Sequence, residues 1–188
     1  MIPPIEIESA RPQDLDSIQA LLGEHGLPID GMLDQIPTTV VARTAGRVVG
    51  SAGLELYPDG ALLRSIVVAP QMQRQGVGHR LIEAAIAIAI TRRVPAIYLL
   101  TITAEEYFAK LGFTRVDRAS VPDIVKDSAE FKGPRFSSAV VMRKTLHLDP
   151  RRASRVVFLQ GSRTIELFWT EALAAFRQQV EAASTKQH

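Results

Sequence analysis

Residues 62–78 read LLRSIVVAPQMQRQGVG and join an apolar run to two glycines at the start of a helical pattern. Val67 and Val68 end the predicted strand, and Gly76 and Gly78 open the predicted helix. Glycines at such a joint let backbone N–H groups approach a ligand closely, and a helix N-terminus carries partial positive charge. Phosphate is the natural ligand of that arrangement. A simple turn at the two glycines is the alternative that the spacing alone leaves open.

This loop differs from the two common phosphate-binding loops. It has no Lys-Ser or Lys-Thr pair after its second glycine, and Leu81 stands where a dinucleotide-binding loop has Gly or Ala. Arg74, His79 and Arg80 are the nearby side chains that could add positive charge. We therefore expect an anion site of another type.

On both sides of this loop, hydrophobic periodicity predicts strands that alternate with helices in the order β-α-β-β-β-α-β-α-β-β. The predicted strands are 5–8, 39–42, 47–57, 62–68, 96–102, 113–116 and 138–143. The predicted helices are 12–25, 78–91, a helix capped by Thr103 and ended by Gly112, and a short helix within 121–131. The fold class is therefore mixed α/β, made of hairpins and one crossover helix.

Asp59 and Gly60 predict the hairpin turn between the third and fourth strands, because both central positions of such a turn need positive φ. A two-residue loop there places Glu55 directly opposite Arg64. Two interpretations of this pair stay open. It is a structural cross-strand ion pair, or Arg64 binds a substrate carboxylate through its bidentate fork while Glu55 orients it.

The alternation of a strand predicts that Arg64 shares one face of the sheet with Leu62, Ile66 and Val68. In the second interpretation that face lines the acceptor site. Glu55 is a weaker candidate for a general base, since a neighbouring arginine reduces the basicity of a carboxylate.

Two motifs in this chain resemble the GNAT superfamily of N-acetyltransferases. The first is residues 63–70 followed by Gln73-x-x-Gly76-x-Gly78 and a helix. The second is residues 104–113, AEEYFAKLGF, at the distance that the family shows. Together with the element order, the resemblance covers residues 5–146. It implies a splayed central sheet, acyl-CoA bound in the splay, and direct transfer of the acyl group to an amine.

The resemblance also implies which residues bind the co-substrate, acetyl-CoA. They belong to the end of the strand, the loop and the second motif: Ile66, Val67, Val68, Gln73, Arg74, Gln75, Gly76, Val77, Gly78, His79 and Phe108. No metal is expected, because ligand-spaced histidines and carboxylates are not found in the sequence.

A narrower resemblance is to the amino-acid N-acetyltransferase branch, which includes acetylglutamate-synthase-like domains and arsenic-resistance N-acetyltransferases. It rests on residues 97–103, 121–124 and 139–144. It implies a small amino-acid-like acceptor and makes Thr101 a further candidate for substrate binding. Members of this branch often carry a cysteine between positions 131 and 138, and this chain has none, which argues against a thiol-based or arsenic-linked role.

The usual catalytic side chains of the family are replaced in this sequence. Leu62 stands at the position of the glutamate that activates the amine, and Phe108 at that of the tyrosine that protonates the thiolate. Tyr107 is the neighbouring candidate, but adjacent helical residues lie about 100° apart, which favours a core residue or a pocket wall over a proton donor. The resemblance assigns the Val68 amide as the oxyanion donor. Without cysteine or a Ser-His arrangement, we expect direct transfer in a ternary complex.

Composition limits the partners. The net charge of +2 comes without a dense Lys/Arg stripe, so no nucleic acid is expected. The longest apolar stretch, 81–90, is too short to cross a membrane, and the lack of cysteine suits the cytoplasm. We divide the chain into a catalytic domain at 1–148 and an extension at 149–188. The extension holds a predicted strand at 156–159 and a helix at 164–182, which docks on the domain or forms a homodimer.

Three functions are compatible with these features. The first is an enzyme that acetylates the amino group of a small amino-acid-like substrate. Leu62 and Phe108 suggest the second, a non-catalytic module that binds or senses acyl-CoA. The third is a protein-directed acetyltransferase.

Overall fold

The computed structural model describes residues 4–147, which build one seven-stranded sheet in the order β1-β2-β3-β4-β5-β7-β6. The strands are β1 (Glu6–Ser9), β2 (Thr39–Thr44), β3 (Arg47–Tyr57), β4 (Gly60–Val68), β5 (Ala96–Thr101), β6 (Thr114–Val116) and β7 (Val140–Thr145). The α-helices are α1 (Leu15–Glu24), α2 (Met32–Gln35), α3 (Val77–Thr91), α4 (Glu105–Lys110), α5 (Asp123–Lys126) and α6 (Ala129–Lys132). The predicted mixed α/β sheet with flanking helices is confirmed. The predicted extension, 149–188, lies outside the described residues.

β4 and β5 are the one parallel pair of this sheet within residues 4–147, and helix α3 connects them. Their register contains only two pairs, Ala61 with Ile97 and Leu62 with Tyr98. β4 continues to Val68 beyond these pairs, so the two strands diverge toward their carboxyl ends. Such a divergence opens a crevice where ligands of α/β sheets bind.

Helix α3 lies against one face of β3 and β4 through an apolar stripe. Leu81, Ile82, Ile86 and Ala89 on this helix are almost completely buried. Gly50 on β3 makes the approach close: a Cβ there would lie 3.0 Å from Leu81 Cδ1. The small residue therefore sets how near the N-terminal turns of α3 come to the sheet.

The hairpin between β3 and β4 differs from the predicted register. Tyr57 pairs with Gly60, so Pro58 and Asp59 form the loop, and Asp59 and Gly60 lack the positive φ that we predicted. The glycine serves packing, because a Cβ on Gly60 would lie 2.8 Å from the Tyr98 ring. A sequence pattern cannot distinguish a glycine kept for a turn from one kept for a close contact.

The changed register moves the predicted ion pair. Glu55 lies opposite Leu62, and Arg64 lies opposite Gly53. Glu55 and Arg64 are therefore diagonal neighbours on the same face, and the long arginine side chain still reaches the carboxylate.

A β-bulge in β4 changes which residues share a face. The register shifts between Ser51 and Gly53, and Ser65 takes φ +57, in the left-handed region. One extra residue in β4 inverts the alternation of its side chains. Val68, opposite Gly50, therefore lies on the α3 face, and the prediction that it shares a face with Arg64 is wrong.

The face that carries Leu62 and Arg64 is covered by the connection between β6 and β7. Val121, Val125 and Phe131 from this connection pack with Leu62 and Tyr98 in a separate apolar cluster. The predicted short helix within 121–131 is two short helices, α5 and α6.

Candidate active site

The loop before α3 has an unusual backbone. Arg74 has φ +60 and Gly76 has φ +77, with Gln75 between them. Alternation of left- and right-handed residues turns successive N–H groups toward one side, which forms an anion-binding concavity. Arg74 has a Cβ, so its left-handed conformation costs about 1–2 kcal/mol, the kind of strain that accumulates at functional sites.

The N-terminus of α3 continues this concavity. Among residues 4–147, no side chain caps the first turn of α3, which leaves its N–H groups for a ligand. Its first turn carries no acidic residue, and no described atom lies within 4 Å of where a Gly76 Cβ would stand. The room beside Gly76, the uncapped N–H groups and the partial positive charge of the helix N-terminus therefore fit a diphosphate such as that of acyl-CoA.

Side chains of the loop hold its shape. Gln73 Nε2 donates to the Val68 carbonyl at 3.0 Å, which ties the loop to the end of β4. Gln75 Nε2 donates to the Gln71 carbonyl at 3.0 Å. Arg80 does not serve the loop, because its Nη2 donates to the Ile5 carbonyl.

A cleft of ≈ 260 Å³ lies at this loop. It is lined by Val68, Gln73, Arg74, Gly76, Val77, Gly78, His79 and Tyr107. Seven of these were predicted to bind the co-substrate, so the structure brings most of the predicted set together. Ile66, Val67 and Gln75 belong to the same segment but not to this lining.

Phe108 lies away from the cleft, whereas its neighbour Tyr107 lines it. Phe108 is 7% exposed and packs edge-on against Phe113, with ring centroids 5.7 Å apart. It therefore belongs to the core, and its predicted contact with the co-substrate is not supported. Tyr107 lines the cleft instead.

The Val68 amide points toward the splay. Gly50 on β3 lies opposite Val68 on β4, and the Ala69 N–H donates to the Val49 carbonyl beside them. In an antiparallel ladder this pattern means that Gly50 and Val68 form a non-hydrogen-bonded pair. The ladder then turns the Val68 N–H away from β3, toward the side where β5 diverges. This is the orientation that an oxyanion donor in the splay needs.

On the opposite face, Arg64 is the centre of a buried polar cluster. We define the Arg64 cluster as Gln35, Glu55, Tyr57, Arg64 and Glu130. The arginine side chain has no exposed surface; Nη1 donates to Glu55 and Nη2 donates to the Asp30 carbonyl at 3.1 Å. Gln35 Nε2 and the Tyr57 hydroxyl also donate to Glu55. A substrate carboxylate could reach Arg64 only by displacing one of its present partners, which favours the ion-pair interpretation.

Glu130 on α6 completes this cluster, and the sequence analysis did not identify it. Its Oε1 lies 3.3 Å from Arg64 Nε, without hydrogen-bond geometry. Burial raises the pKa of Glu130 to about 7, and the Glu55 carboxylate adds to this effect, while Arg64 and Arg135 oppose it. Among residues 4–147, Gln35 Oε1 and Arg64 Nε have no hydrogen-bond partner.

Thr101 has a structural partner. Its Oγ1 accepts a hydrogen bond from the Ala104 amide at 3.0 Å, just before α4. The predicted cap by Thr103 is wrong: Ala104 is the N-cap of α4, and the threonine at the end of β5 satisfies the turn. Thr101 is also 7% exposed, so its hydroxyl is directed into the protein.

Residues 4–147 show neither a membrane-spanning helix nor a metal site. None of the helices there is both long and apolar enough to cross a membrane. Across the same range, no group of three His, Cys, Asp or Glu side chains is placed to hold a metal ion.

Comparison with known proteins relates this site to a described family. Residues 36–115 match the family model described as Acetyltransferase (GNAT) domain. The match includes β2 to β5, the loop, α3 and α4. This segment of the chain is therefore similar to GNAT acetyltransferase domains, the family that the two motifs resemble.

A relative with a named activity agrees with this family match. The chain is 31% identical over 83 residues to the amino-acid acetyltransferase of Mycobacterium tuberculosis, covering 44% of this chain and 47% of the relative. It thus spans about half the length of that relative.

Solved structures share the fold. Rv2747 of Mycobacterium tuberculosis, in complex with CoA, has a TM-score of 0.67 at 23% identity, covering 76% of this chain and 99% of the other. N-acetylglutamate synthase of Neisseria gonorrhoeae, complexed with coenzyme A and N-acetyl-glutamate, also has 0.67 at 23%, covering 77% and 35%.

Proposed function

We propose that this chain is an N-acetyltransferase that moves the acetyl group of acetyl-CoA to the amino group of a small amino-acid-like substrate. The observation that carries the proposal is the loop at Gln73–Gly76. Its two left-handed residues and the uncapped N-terminus of α3 face a cleft beside the splay of β4 and β5. The GNAT family match and the amino-acid acetyltransferase relative support the same activity.

In this proposal the loop binds the diphosphate of acetyl-CoA. The backbone N–H groups of Val77, Gly78 and His79 point at the phosphates, and Arg74 adds positive charge. Gln73 keeps the loop beside the end of β4. When bound, the co-substrate supplies the thioester that is to be cleaved.

We further propose direct transfer in a ternary complex. The amine attacks the thioester carbonyl, and the Val68 N–H stabilises the negative charge that develops on the carbonyl oxygen. Leu62 has an aliphatic side chain with no basic atom, so it cannot take the proton of the amine. The amine therefore loses its proton to water. The tetrahedral intermediate then collapses with cleavage of the C–S bond, and CoA leaves as a thiolate that takes a proton from water. The rate should rise with pH toward the pKa of the amine itself.

The acceptor approaches from the face opposite α3 in this proposal, where Arg64, Glu55 and Thr101 were expected to act. Arg64 and Glu55 contribute by keeping the surrounding segments in place. They hold the connection before α2, strand β3 and helix α6 together through Asp30, Glu55 and Glu130. Thr101 shapes the end of β5 beside the splay.

A panel of amino acids tests the activity. Release of CoA from acetyl-CoA should accelerate with at least one amino acid that has a free α-amino group. The same amino acid with a blocked amine is the matched control. Binding of CoA without release of free thiol for any amine, including peptides, would contradict the proposal.

That outcome would favour a second function, a non-catalytic acyl-CoA sensor. The supporting observation is that the positions of both usual catalytic side chains, Leu62 and Phe108, are apolar and buried. In this case calorimetry would still show binding of acetyl-CoA.

The proposal also includes a cellular location and an oligomeric state. We place the protein in the cytoplasm on its lack of cysteine. We also propose a homodimer, which light scattering of the full chain tests by its measured mass.

A further inference from the structure

Tyr107 is directed into the cleft by the residue that follows it. Its ring packs edge-on against Phe108, with centroids 5.5 Å apart and planes at 72°, while Phe108 is held in the core by Phe113. Because adjacent helical residues lie about 100° apart, burial of Phe108 turns Tyr107 outward. Tyr107 is 40% exposed and forms one wall of the cleft.

The hydroxyl of Tyr107 stands over the first turn of α3. A Cβ on Gly78 would lie 3.8 Å from this oxygen. Gly78 is the second residue of α3, where N–H groups point out of the helix end. The phenol therefore lies beside the backbone donors that we assign to the diphosphate.

The surroundings keep the Tyr107 hydroxyl protonated, so it can act as a hydrogen-bond donor. Burial raises the pKa of Tyr107, and the carboxylate of Glu83 adds to the increase. Glu83 itself pairs with His79, with 3.2 Å between Oε1 and Nε2. A protonated phenol can donate to an anion, whereas a phenolate would repel it.

We propose that the Tyr107 hydroxyl binds the diphosphate of the acyl donor by donating a hydrogen bond to a phosphate oxygen. This assignment rests on the proposed function, because it takes acyl-CoA as the ligand of the cleft. Tyr107 is then a binding residue for the co-substrate. In this role the hydroxyl binds phosphate and does not protonate the departing thiolate, and kinetics distinguish the two roles.

Calorimetry with CoA and with pantetheine tests this role. Pantetheine has the thiol arm of CoA and lacks the diphosphate. Tyr107→Phe should weaken CoA binding by about tenfold, as expected for loss of one hydrogen bond to a charged group, and leave pantetheine binding unchanged. Tyr98→Phe is the matched control, since Tyr98 packs at Gly60, the other end of β4, and should leave both affinities unchanged.

Kinetics complete the test. With acetyl-CoA, Tyr107→Phe should raise KM and lower kcat by less than about tenfold. Equal affinity of the variant and the wild type for CoA would overturn the proposal, as would equal weakening toward CoA and pantetheine. A hundredfold loss of kcat at intact CoA affinity would make Tyr107 the proton donor instead. Failure of the wild type to bind CoA would contradict the proposed function itself.

Discussion

The cleft at the end of β4 is built from sequence neighbours, whereas the Arg64 cluster on the opposite face is built from segments far apart in the chain. All lining residues of the cleft except Tyr107 fall within 68–79, and the backbone supplies its donors. The Arg64 cluster joins residues of α2, β3, β4 and α6, and its groups are charged and polar side chains.

The two sites consequently depend on different physics. Backbone N–H groups keep their direction whatever the side chains are, so the cleft tolerates changes that preserve φ and space. A buried guanidinium requires its carboxylates, because an unpaired charge inside the protein is costly. We expect mutations to affect ligand binding at the first site and stability at the second.

The largest effect should follow Arg64→Gln. Removing the guanidinium leaves Glu55 and Glu130 close together and without their cation, which should cost about 3–5 kcal/mol of unfolding free energy. Urea denaturation measures this loss. Arg43→Gln is the control, because Arg43 also bridges two carboxylates but its side chain is 16% exposed, and its loss should be smaller. If stability holds and only the acceptor KM rises, Arg64 binds the substrate carboxylate.

The second prediction concerns pH. Because the pKa of Glu130 is raised from 4.5 to about 7, the folded protein binds the extra proton and is favoured below pH about 4.5. This contribution, about 3 kcal/mol, disappears as the pH rises through about 7.

Glu130→Gln should remove this dependence. The unfolding free energy of the wild type should fall relative to the variant between pH 5 and pH 8, as measured by urea denaturation at each pH. Subtracting the variant cancels the titration of groups that both proteins share. Parallel curves would show that Glu130 is ionised throughout and that the Arg64 cluster is less isolated from solvent than its burial indicates.

The third prediction concerns the cleft at the end of β4. Gly76→Glu should weaken acetyl-CoA binding at least about a hundredfold and leave the circular dichroism spectrum unchanged, because a carboxylate would occupy the space for phosphate. Gly76→Gln is the matched control. It shares the strain of a side chain at φ +77 but lacks the charge, so it should bind more tightly than the glutamate variant. Equal affinities of the two variants would exclude an anion at this position.

The smallest effect should come from Gly78→Ala. The new Cβ would meet Val68 Cγ2 at 3.7 Å and Tyr107 Oη at 3.8 Å, which are ordinary contacts, and its φ is not in the left-handed region. CoA affinity should change by less than about twofold, and helix propensity should add a few tenths of a kcal/mol to stability. A large loss of affinity would mean that the ligand approaches this Cα more closely than we propose.

The site could be predicted from sequence where one short segment defines it. The loop was predicted at Gln73 to Gly78 because glycines, strand end and helix start are all local signals. Helical spacing left Tyr107 as core or pocket wall, and the family resemblance placed Phe108 at the ligand. Spacing alone does not say which of two neighbours faces the core. Packing of Phe108 against Phe113 decided that.

By itself the sequence determined the order of the elements, the crossover helix and the glycine loop before it, because apolar periodicity and glycine positions act within a few residues. Tertiary structure decided the register of β3 and β4, the bulge at Ser65 and the place of Glu130 beside Arg64. A bulge inverts the faces of a strand without a sequence signal, and a buried charge finds its partners only when distant segments pack. The backbone conformation of a short loop depends on nearby residues and can be predicted from sequence. The pairing of buried charges depends on how distant segments pack and is known only from the folded structure.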